Sequence, residues 1–432
     1  MALLAGISLV VVFILLLLIG VPIAISIAGA SIVTMFLIAP FDVAIFTSAQ
    51  KLVTGIDSFT LLAVPFFLLT GIIMNQGGIA LRLVNVAKLL TGKLPGSLAQ
   101  TNIVGNMLFG SIAGSSVASA AAIGKVMNPL QAKEGYDRKF SAAVNIASAP
   151  VGLIIPPTGL FIIYSLVSGG TSIAALFLAG YLPGILWGLA IMVVAFIIAK
   201  KKGYIASAAT KVDSPLKVIW DAVPSLFLIF IIIGGIIAGI FTATEASAIS
   251  IVYSLILSFI YKGITIKQLP GIFREAVELT VVIMFLIGTS AMLSLVMAFT
   301  GIPDALSSSI LTLTENPILI LLLINLILLL IGTVMDVTPA ILIFTPIFLP
   351  VVTEFGMDPV HFGVILIFNL CIGNITPPSG SALFVGSTVG RVKIEEVVRP
   401  LVPFYIAVIC VLMIVTMIPS ISTWLPELFG LM

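Results

Sequence analysis

One carboxylate lies inside an apolar stretch of this chain, where a charge is costly. Asp336 stands within the segment from Gly332 to Pro339 and is the only formal charge deep in any apolar span. An uncompensated aspartate at the centre of a bilayer costs about 2.5–3.5 kcal/mol. Asp336 is therefore a candidate cation ligand or proton carrier. It is also placed to cap a helix, although serine would fill that role without the burial cost.

A second apolar stretch carries a cluster of hydroxyl side chains. The segment from Gly110 to Ala120 contains four serines within nine residues, namely Ser111, Ser115, Ser116 and Ser119. Small residues let membrane helices approach closely, which is the simpler explanation of this composition. Four hydroxyls are more polarity than packing requires. They are therefore candidate ligands of a cation and of an anionic solute.

Two proline pairs interrupt apolar segments at related positions. The motif Pro156–Gly159 in the first half of the chain is echoed by Pro377–Gly380 in the second half. Proline removes a backbone donor and clashes with the preceding turn, so each pair breaks its helix and frees backbone carbonyls. Such carbonyls need protein or a water-filled cavity around them, and a small cation can use them as ligands, unless each motif is only a structural kink. Side-chain oxygens nearby belong to Asn145, Thr158, Asn374, Thr376 and Ser379.

The composition requires a bilayer around these segments. Of 432 residues, 60% are hydrophobic and 8% are charged, and the mean hydropathy is +1.32. Soluble domains carry roughly 25% charged residues. Apolar residues on all sides, without alternation, favour helices over a barrel, so the fold class is all-α integral membrane. The apolar N-terminus lacks a basic start and a cleavage site, and we interpret it as a retained span.

Several function classes are excluded by what the sequence contains. A net charge of +2 without a long basic run predicts no nucleic-acid partner. One histidine and two distant cysteines, Cys371 and Cys410, offer no nucleophile–base pair and no metal cluster, so we expect no enzyme. Nothing matches a P-loop, so ATP hydrolysis by that motif is excluded.

The apolar segments predict about ten membrane crossings. Each segment is uncharged and long enough to span a hydrocarbon core of roughly 30 Å. They are Leu3–Ile19, Pro22–Ala39, Ser58–Gln76, Ser141–Gly169, Ser172–Ala199, Ala222–Phe241, Ala246–Tyr261, Leu279–Gly301, Phe362–Gly390 and Leu401–Leu425.

The loops between these crossings sort by charge. Lysine and arginine share alternate loops, and the positive-inside rule places those loops in the cytoplasm. The other loops carry mainly acids, and both termini are then periplasmic. The basic loops contain Arg82, Lys88 and Lys93, then Lys200, Lys201, Lys202, Lys211 and Lys217 with Asp213 and Asp221, then Lys262, Lys267 and Arg274, then Arg391, Lys393 and Arg399. The acidic loops contain Glu245, Asp304, Glu315, Glu354, Asp358 and Glu427.

Two further apolar segments cannot be full crossings under this assignment. Leu98–Gly124 enters and leaves on the cytoplasmic side, and Pro317–Val352 enters and leaves on the opposite side. If either crossed fully, every later loop would violate the charge rule. Two opposed re-entrant hairpins are therefore predicted.

The two halves of the chain read as a repeat. Gly152 and Gly373 each lie four residues before the first proline of their motif, and Pro129 and Pro350 are as far apart in sequence as the two motifs are. Each half holds five crossings, so the second half is upside down relative to the first. Inverted repeats with broken helices near the midplane are the architecture of secondary transporters. Coincidence in an apolar chain is the alternative.

Four motifs together resemble the large membrane subunit of tripartite ATP-independent periplasmic (TRAP) transporters, including those for sialic acid. The similarity covers essentially the whole chain and rests on Phe109–Ala118, Pro156–Gly159, Gly332–Asp336 and Asn374–Gly380. It implies a bacterial inner-membrane symporter coupled to sodium, without a further cofactor. The implied partners are a separate small four-helix membrane subunit and a periplasmic binding protein that delivers an organic acid of the sialic acid or C4-dicarboxylate class.

The resemblance also implies an elevator motion and a set of site residues. Residues 94–170 and 313–392 are expected to form the transport domain, and residues 1–93, 171–312 and 393–432 the scaffold. Two sodium sites are implied, one at each hairpin. Their residues are Ser115, Ser116, Asn145, Gly152 and Pro156, and Gly332, Thr333, Asp336, Gly373, Thr376 and Pro377. The residues assigned to substrate are Ser111, Ser119, Thr158, Asn374 and Ser379.

Two other transporter classes compete with this interpretation. A sodium/divalent-anion symporter of similar architecture would work without a binding protein or a small subunit. A channel would need a continuous pore, usually built by symmetric subunits, and two opposed hairpins fit a carrier better.

Overall fold

A computed structural model describes residues 2–204, 214–303, 305, 308 and 316–432. Within these ranges the regular structure is entirely helical, as the sequence predicts. Four of the loop charges used for orientation, Lys211, Asp213, Asp304 and Glu315, lie outside the described residues. The predicted boundary between residues 312 and 313 lies outside them as well.

The first half of the chain contains eleven helices in the described ranges. A short 3-10 turn, Phe59–Leu62, leads into the fourth of them. The helices are α1 (Ala2–Leu18), α2 (Ile23–Ile38), α3 (Phe41–Thr54), α4 (Ala63–Gln76), α5 (Ile79–Thr91), α6 (Ser97–Ala113), α7 (Ser116–Lys133), α8 (Arg138–Ser148), α9 (Val151–Ile154), α10 (Gly159–Val167) and α11 (Ile173–Lys201).

The second half repeats this order from the next helix onward. Its described helices are α12 (Pro215–Ile237), α13 (Ala243–Ile260), α14 (Leu269–Thr300), α15 (Pro317–Val334), α16 (Val337–Glu354), α17 (Pro359–Gly373), α18 (Ser381–Gly390), α19 (Ile394–Met417) and α20 (Ser420–Leu428).

Each of the ten predicted crossings coincides with one helix or with two or three consecutive helices. Among the described residues, eight helices are long and apolar enough to cross a membrane, or nine when α8–α9 and α10 count as one span bent by 50°. Two of the eight are α15 and α16, the arms of the second hairpin. The remaining crossings use shorter apolar helices, including α1, α2 and the pair α17 and α18.

Two helices occupy segments that the sequence analysis treated as loops. On α5, Leu83, Val84 and Ala87 are buried while Arg82 and Lys88 are only half-buried, so this helix is amphipathic and its charges hid it from a search for uncharged spans. The same is true of α3, which begins with Asp42 and ends near Lys51. Helix α14 begins ten residues before the predicted crossing, so Arg274 lies on it and not in a loop.

The repeat read from the sequence extends through the hairpins and the broken helices. Helices α7 and α16 begin at positions 116 and 337 and end at positions 133 and 354, so their two ends share one offset. Helices α8 and α17 begin at positions 138 and 359, and α11 and α19 begin at positions 173 and 394, again with that offset. The proline pairs are separated by the same interval. The two hairpins therefore lead into broken helices with the same register.

The broken helices form the centre of the molecule. Every residue from 140 to 158 and from 360 to 375 is buried. Each hairpin approaches its broken helix through glycine: a Cβ on Gly152 would lie 2.2 Å from Cα of Gly110, and one on Gly373 would lie 2.2 Å from the carbonyl carbon of Gly332. Real Cβ atoms do not approach other atoms this closely, so backbone meets backbone at both places.

Amide side chains tie the same elements together. In the first half, Nδ2 of Asn106 donates to Oγ of Ser148 at 2.7 Å and to Oδ1 of Asn145 at 3.1 Å. In the second half, Nδ2 of Asn369 donates to Oδ1 of Asn325 at 2.8 Å. These groups are buried, and a buried polar group without a partner costs about 1–3 kcal/mol. The amides therefore fix the position of each hairpin on its broken helix.

The remaining helices pack in two groups. Helix α4 contacts α13 and α14, and α14 also contacts α2 and α3. Helix α19 contacts α8, α17 and α18, and α11 contacts α6, α9 and α19. The first group contacts the hairpins and, through α4, also α10, whereas α11 and α19 pack on the buried parts of the broken helices.

Replacing Gly373 by alanine is expected to lower the thermal unfolding midpoint of the purified protein in detergent. The added methyl group would meet the backbone of Gly332, and overpacking of this kind costs about 1–3 kcal/mol. Gly234→Ala in α12 is the matched control, because a Cβ there meets nothing within 4 Å. Equal midpoints for Gly373→Ala and the wild type would contradict the close contact.

Candidate functional site

A cavity of about 460 Å³ lies where the tips of the two hairpins meet. The first tip contributes residues 112–118 and the second contributes residues 336–338. Pro157, Gly159 and Leu160 line it from the first broken helix, and Asn374 and Ser381 from the second. The opposite wall belongs to α4 and α14. The cavity therefore lies between the hairpin tips and the first group of packed helices.

Asn374 joins the parts of this cavity that are most distant in sequence. Its Oδ1 accepts a hydrogen bond from Oγ of Ser116 at 3.0 Å, across 258 residues. Its Nδ2 donates to Oδ1 of Asp336 at 3.3 Å and to Oγ of Ser381 at 2.9 Å. One buried amide thus links the first tip, the second tip and the second broken helix. A cation or solute bound here would be sensed by all three elements.

Asp336 stands at the N-cap position of α16, but its side chain makes no capping hydrogen bond. At the equivalent position of the first hairpin, Ser115 accepts a hydrogen bond from the backbone of Ala118 at 3.2 Å and does cap α7. The side chain of Asp336 is exposed and lines the cavity. The capping interpretation of Asp336 is therefore not supported, and its carboxylate is oriented toward Asn374.

The remaining residues predicted for the second ion site lie around the contact of the second hairpin with its broken helix. Gly332 faces Gly373, and the carbonyl of Thr333 accepts hydrogen bonds from the backbone N–H and Oγ of Ser379 at 3.1 and 2.6 Å. Oγ1 of Thr376 donates to the carbonyl of Ile372 at 2.7 Å. Pro377 is half-buried next to Thr376. The structure brings this set together at one hairpin tip.

The residues predicted for the first ion site divide into two groups. Ser115 and Ser116 line the cavity. Asn145 and Gly152 face the arms of the hairpin, where Nδ2 of Asn145 donates to the carbonyl of Ala120 at 2.8 Å. Pro156 is buried at the break of the helix. Asn145 thus holds the hairpin in place and does not itself line the cavity.

Of the five residues predicted to bind substrate, Asn374 lines the cavity. Ser111 donates to the carbonyl of Leu108 at 3.0 Å, and Oγ of Ser119 donates to Oδ1 of Asn106 at 2.7 Å. Oγ1 of Thr158 caps α10 by accepting from the backbone of Leu160 at 3.3 Å. Ser379 contacts Thr333 as described above. The hydroxyls of these four residues hold the framework of the site, and their assignment to substrate stays a prediction.

Protein donors occupy the carbonyls that the second proline pair releases. The hydroxyl of Tyr405 on α19 donates to the carbonyl of Ile375 at 2.5 Å. The carbonyls of Asn374 and Thr376 accept from the backbones of Ala382 and Gly380, both at 3.2 Å. A carbonyl oxygen has two lone pairs, so one hydrogen bond leaves it able to ligate a cation.

Four polar residues of the cavity, Asn75, Glu275, Thr338 and Ser381, were not predicted from the sequence. Glu275 and Asn75 line it from α14 and α4, and Gln76 donates to Glu275 at 3.2 Å. Glu275 lies in a helix that begins before the predicted crossing, so it was not assigned to the membrane region. The sequence does not show that the end of α4, with Asn75 and Gln76, faces Glu275 on α14. That proximity follows only from the packing of the two helices.

The cavity is negative in its fixed charges. Asp336 and Glu275 line it, and no lysine, arginine or histidine does so among the described residues. The same part of the chain contains no group of three or more His, Cys, Asp or Glu side chains suited to hold a metal ion. Any cation bound here would rely on hydroxyl, amide and backbone oxygens beside these two carboxylates, and oxygen donors of this kind suit a hard cation.

Comparison with known proteins assigns the family. A sequence profile described as "Tripartite ATP-independent periplasmic transporter, DctM component" matches residues 10–421. This chain belongs to the DctM family of TRAP transporter components.

Relatives of this TRAP component are similar over nearly their full length. The chain is 52% identical to the uncharacterized protein YgiK of Salmonella typhimurium, covering 97% of this chain and 96% of YgiK. It is 39% identical to the sialic acid TRAP transporter large permease protein SiaM of Vibrio cholerae, with coverage of 95% and 96%. It is 37% identical to the C4-dicarboxylate TRAP transporter large permease protein DctM of Pseudomonas aeruginosa, with coverage of 94% and 95%. SiaM and DctM are both named as large permease proteins of TRAP transporters.

A solved structure supports the fold independently. The YdaH transporter of Alcanivorax borkumensis aligns with a TM-score of 0.62, covering 86% of this chain and 88% of that chain at 13% identity. Identity this low shows a shared fold alone. Together with the apolar helices, these findings establish that the TRAP component is a multi-pass integral membrane protein.

Replacing Asn374 by alanine is expected to destabilise the TRAP component. The substitution removes the donor to Asp336 and leaves the buried hydroxyl of Ser116 without its acceptor, and a buried polar group left unpaired costs about 1–3 kcal/mol. The measurement is the thermal unfolding midpoint in detergent, with Asn75→Ala as control because its side chain is exposed in the same cavity. Equal midpoints for the two variants would show that Asn374 does not hold the tips together.

Proposed function

We propose that this chain is the transporting subunit of a sodium-driven symporter that imports an organic acid. The observation that carries the proposal is the cavity between the hairpin tips, where Ser116, Asn374 and Asp336 converge. The periplasmic binding protein would deliver the acid, and a small four-helix membrane subunit would complete the assembly, as the tripartite family implies. The alternative is a sodium/divalent-anion symporter that works without a binding protein.

The charge of the cavity supports obligatory coupling to a cation. Two unit charges 4 Å apart interact with about 4 kcal/mol at an effective dielectric constant of 20. An organic anion placed near Asp336 would meet repulsion of that order, and the described lining residues supply no basic side chain to offset it. A cation bound at each hairpin would remove the repulsion. It would also make the affinity for the anion depend on the cation.

Sodium is the cation that the oxygen donors favour over a proton. Beside the carboxylate of Asp336, the second hairpin offers the backbone of Gly332 and Gly373 and the hydroxyls of Thr333 and Thr376, which would be unnecessary for a proton carrier. The first hairpin offers Ser115 and Ser116 without a carboxylate. Oxygen ligands of this kind suit a small hard cation.

The names of the relatives support a carboxylate substrate. SiaM is named for sialic acid and DctM of Pseudomonas aeruginosa for C4-dicarboxylates, and both substrates are carboxylate anions. Hydroxyl and amide groups at the hairpin tips can donate hydrogen bonds to such an anion. The substrate-binding role of Ser111, Ser119, Thr158 and Ser379 would then be indirect, through the backbone and side chains that they hold.

The position of the cavity supports an elevator mechanism. It is lined on one side by the hairpin tips and on the other by α4 and α14, so movement of the hairpins relative to α4 and α14 would carry the cavity with the tips. We include α11 and α19 with the moving body, because both pack on the broken helices. This shifts the boundaries expected at residues 171 and 393. The proposal places the chain in the bacterial inner membrane with both termini in the periplasm.

Replacing Asp336 by asparagine is expected to abolish sodium-driven uptake. The measurement is uptake of radiolabelled organic acids into proteoliposomes that contain this chain, its small subunit and the cognate binding protein, with and without a sodium gradient. Asp42→Asn is the control, since Asp42 is exposed on α3 and away from the cavity.

Four outcomes of this assay would contradict parts of the proposal. Full uptake by Asp336→Asn would rule out an essential ion site built on Asp336 at the second hairpin. Uptake without a sodium gradient would rule out sodium coupling. Uptake that follows a proton gradient would indicate that Asp336 is a proton carrier and not a sodium ligand. Full uptake without the binding protein would favour the stand-alone symporter.

If the hairpins move relative to α3, a label on the first hairpin and a label on α3 are expected to show two distances. Spin labels at Lys51→Cys and Lys133→Cys, in a chain whose Cys371 and Cys410 are replaced by alanine, are measured by double electron–electron resonance. Sodium with substrate and binding protein should change the proportions of the two distances. The control pair, Lys51→Cys with Lys267→Cys, lies within the first body and should keep one distance. A single unchanged distance in both pairs would rule out the elevator.

A further inference from the structure

A second cavity, of about 620 Å³, lies at the far ends of the same helices. It is lined by Lys125 and Asn128 of α7, by Arg138 and Ser141 of α8, and by Arg391, which directly follows α18. Ser116 at the first cavity and Asn128 at the second are separated by twelve residues of α7, or about 18 Å at 1.5 Å per residue. The two cavities are therefore separate.

Three cationic side chains converge on this second cavity. Lys125, Arg138 and Arg391 all line it, and of the described lining residues none is acidic. Two carboxylates close in sequence to lining residues or their neighbours are engaged in ion pairs: Asp137 binds Lys202 at 2.9 Å, and Glu396 binds Lys139 at 3.0 Å. Partial burial acts to raise the pKa of Asp137, but the hydrogen bonds from the side chain of Lys202 and the backbone of Lys139, together with the charges of these two lysines, outweigh it and the pKa is lowered. Asp137 thus stays ionised and paired with Lys202.

Helix stabilisation explains one of these cations and not the others. Arg391 follows the carboxyl end of α18, where a positive charge is favourable. Its backbone has a φ of 54°, which residues other than glycine seldom adopt. Arg138 stands in the first turn of α8, where the helix dipole disfavours a cation. Its position is better explained by a ligand of opposite charge.

Two uncharged side chains of the same cavity lack hydrogen-bond partners. Oγ of Ser141 is buried without a partner, and the residue is 4% exposed. The amide oxygen and nitrogen of Asn128 are likewise buried and unpaired. A buried polar group without a partner costs about 1–3 kcal/mol, so native structures rarely retain several at one place unless a ligand or water satisfies them.

We propose that this cavity binds a phosphate group, which bridges the first and second repeats of the chain. Arginine forms paired hydrogen bonds with phosphate oxygens, and Lys125 adds a point charge. Ser141 and Asn128 supply further hydrogen bonds. Because Arg138 belongs to the first repeat and Arg391 to the second, the bound anion replaces their mutual repulsion by attraction to a common partner. The phosphate comes from a soluble phosphorylated anion or from a phospholipid headgroup.

The test measures the thermal unfolding midpoint of the purified full-length chain in detergent. One arm titrates inorganic phosphate against potassium chloride at constant ionic strength. The other titrates a short-chain phosphatidylglycerol against the matching phosphatidylcholine, which carries the same phosphate without net charge. The variants are Arg138→Gln and Arg391→Gln, with Arg138→Lys as the variant that keeps the charge. Lys133→Gln is the matched control, since Lys133 ends α7 without lining the cavity.

A saturable rise of the midpoint in the wild type and in Lys133→Gln supports the site. Both Arg→Gln variants should weaken the apparent affinity by about tenfold or more, because a hydrogen bond between charged groups contributes about 1.5–3 kcal/mol. A response to inorganic phosphate identifies a soluble anion, and a response to phosphatidylglycerol alone identifies a lipid. If neither probe stabilises the wild type, or if all variants respond equally, the proposal is wrong. Should a variant fail to fold, native mass spectrometry of wild-type adducts decides between the same outcomes.

Discussion

Each hairpin of this transporter packs on its broken helix through glycine backbones, and the position of the site depends on these contacts. Gly110 meets Gly152 in the first half, and Gly332 meets Gly373 in the second. With a side chain at Gly152 or Gly373, the hairpin would stand away from its broken helix. The hydrogen bonds of Ser116 and of Asp336 with the amide of Asn374 would then be lost. The hydrogen bonds at the tips are thus a consequence of backbone contact, and buried amides farther along the hairpin arms hold the same register.

This arrangement also explains why the cavity is polar on one side and apolar on the other. The tips present Ser116, Asn374 and Asp336, whereas α4 and α14 present mainly apolar side chains, with Asn75 and Glu275 toward one end. A body that is fixed internally by hydrogen bonds and that meets its neighbour through apolar contacts can slide without breaking many directional interactions. The phosphate site proposed at the other end of α7 would reinforce the same body by joining its two repeats.

The sequence predicted the hairpins and broken helices because each left a local mark. The proline pairs and their constant spacing can be read directly, and the charges of the loops excluded full crossings for the hairpins. Helices α3 and α5 were missed because their charges interrupt apolar runs while one face is still buried. The partners of Asn374 could not be predicted, since they are contributed across as many as 258 residues. For Ser111, Ser119 and Thr158, closeness to a tip in sequence does not reveal that the hydroxyl is used within its own hairpin or helix end.

The central claim is that each hairpin tip forms a cation site and that the two sites together make an anion site possible. Equilibrium binding of radioactive sodium to the purified chain, by scintillation proximity, tests it without knowledge of the substrate. The account predicts saturable binding that potassium does not displace, with about half of it lost in Asp336→Asn and the rest retained at the first hairpin. Absence of saturable binding, or undiminished binding by Asp336→Asn, would contradict it.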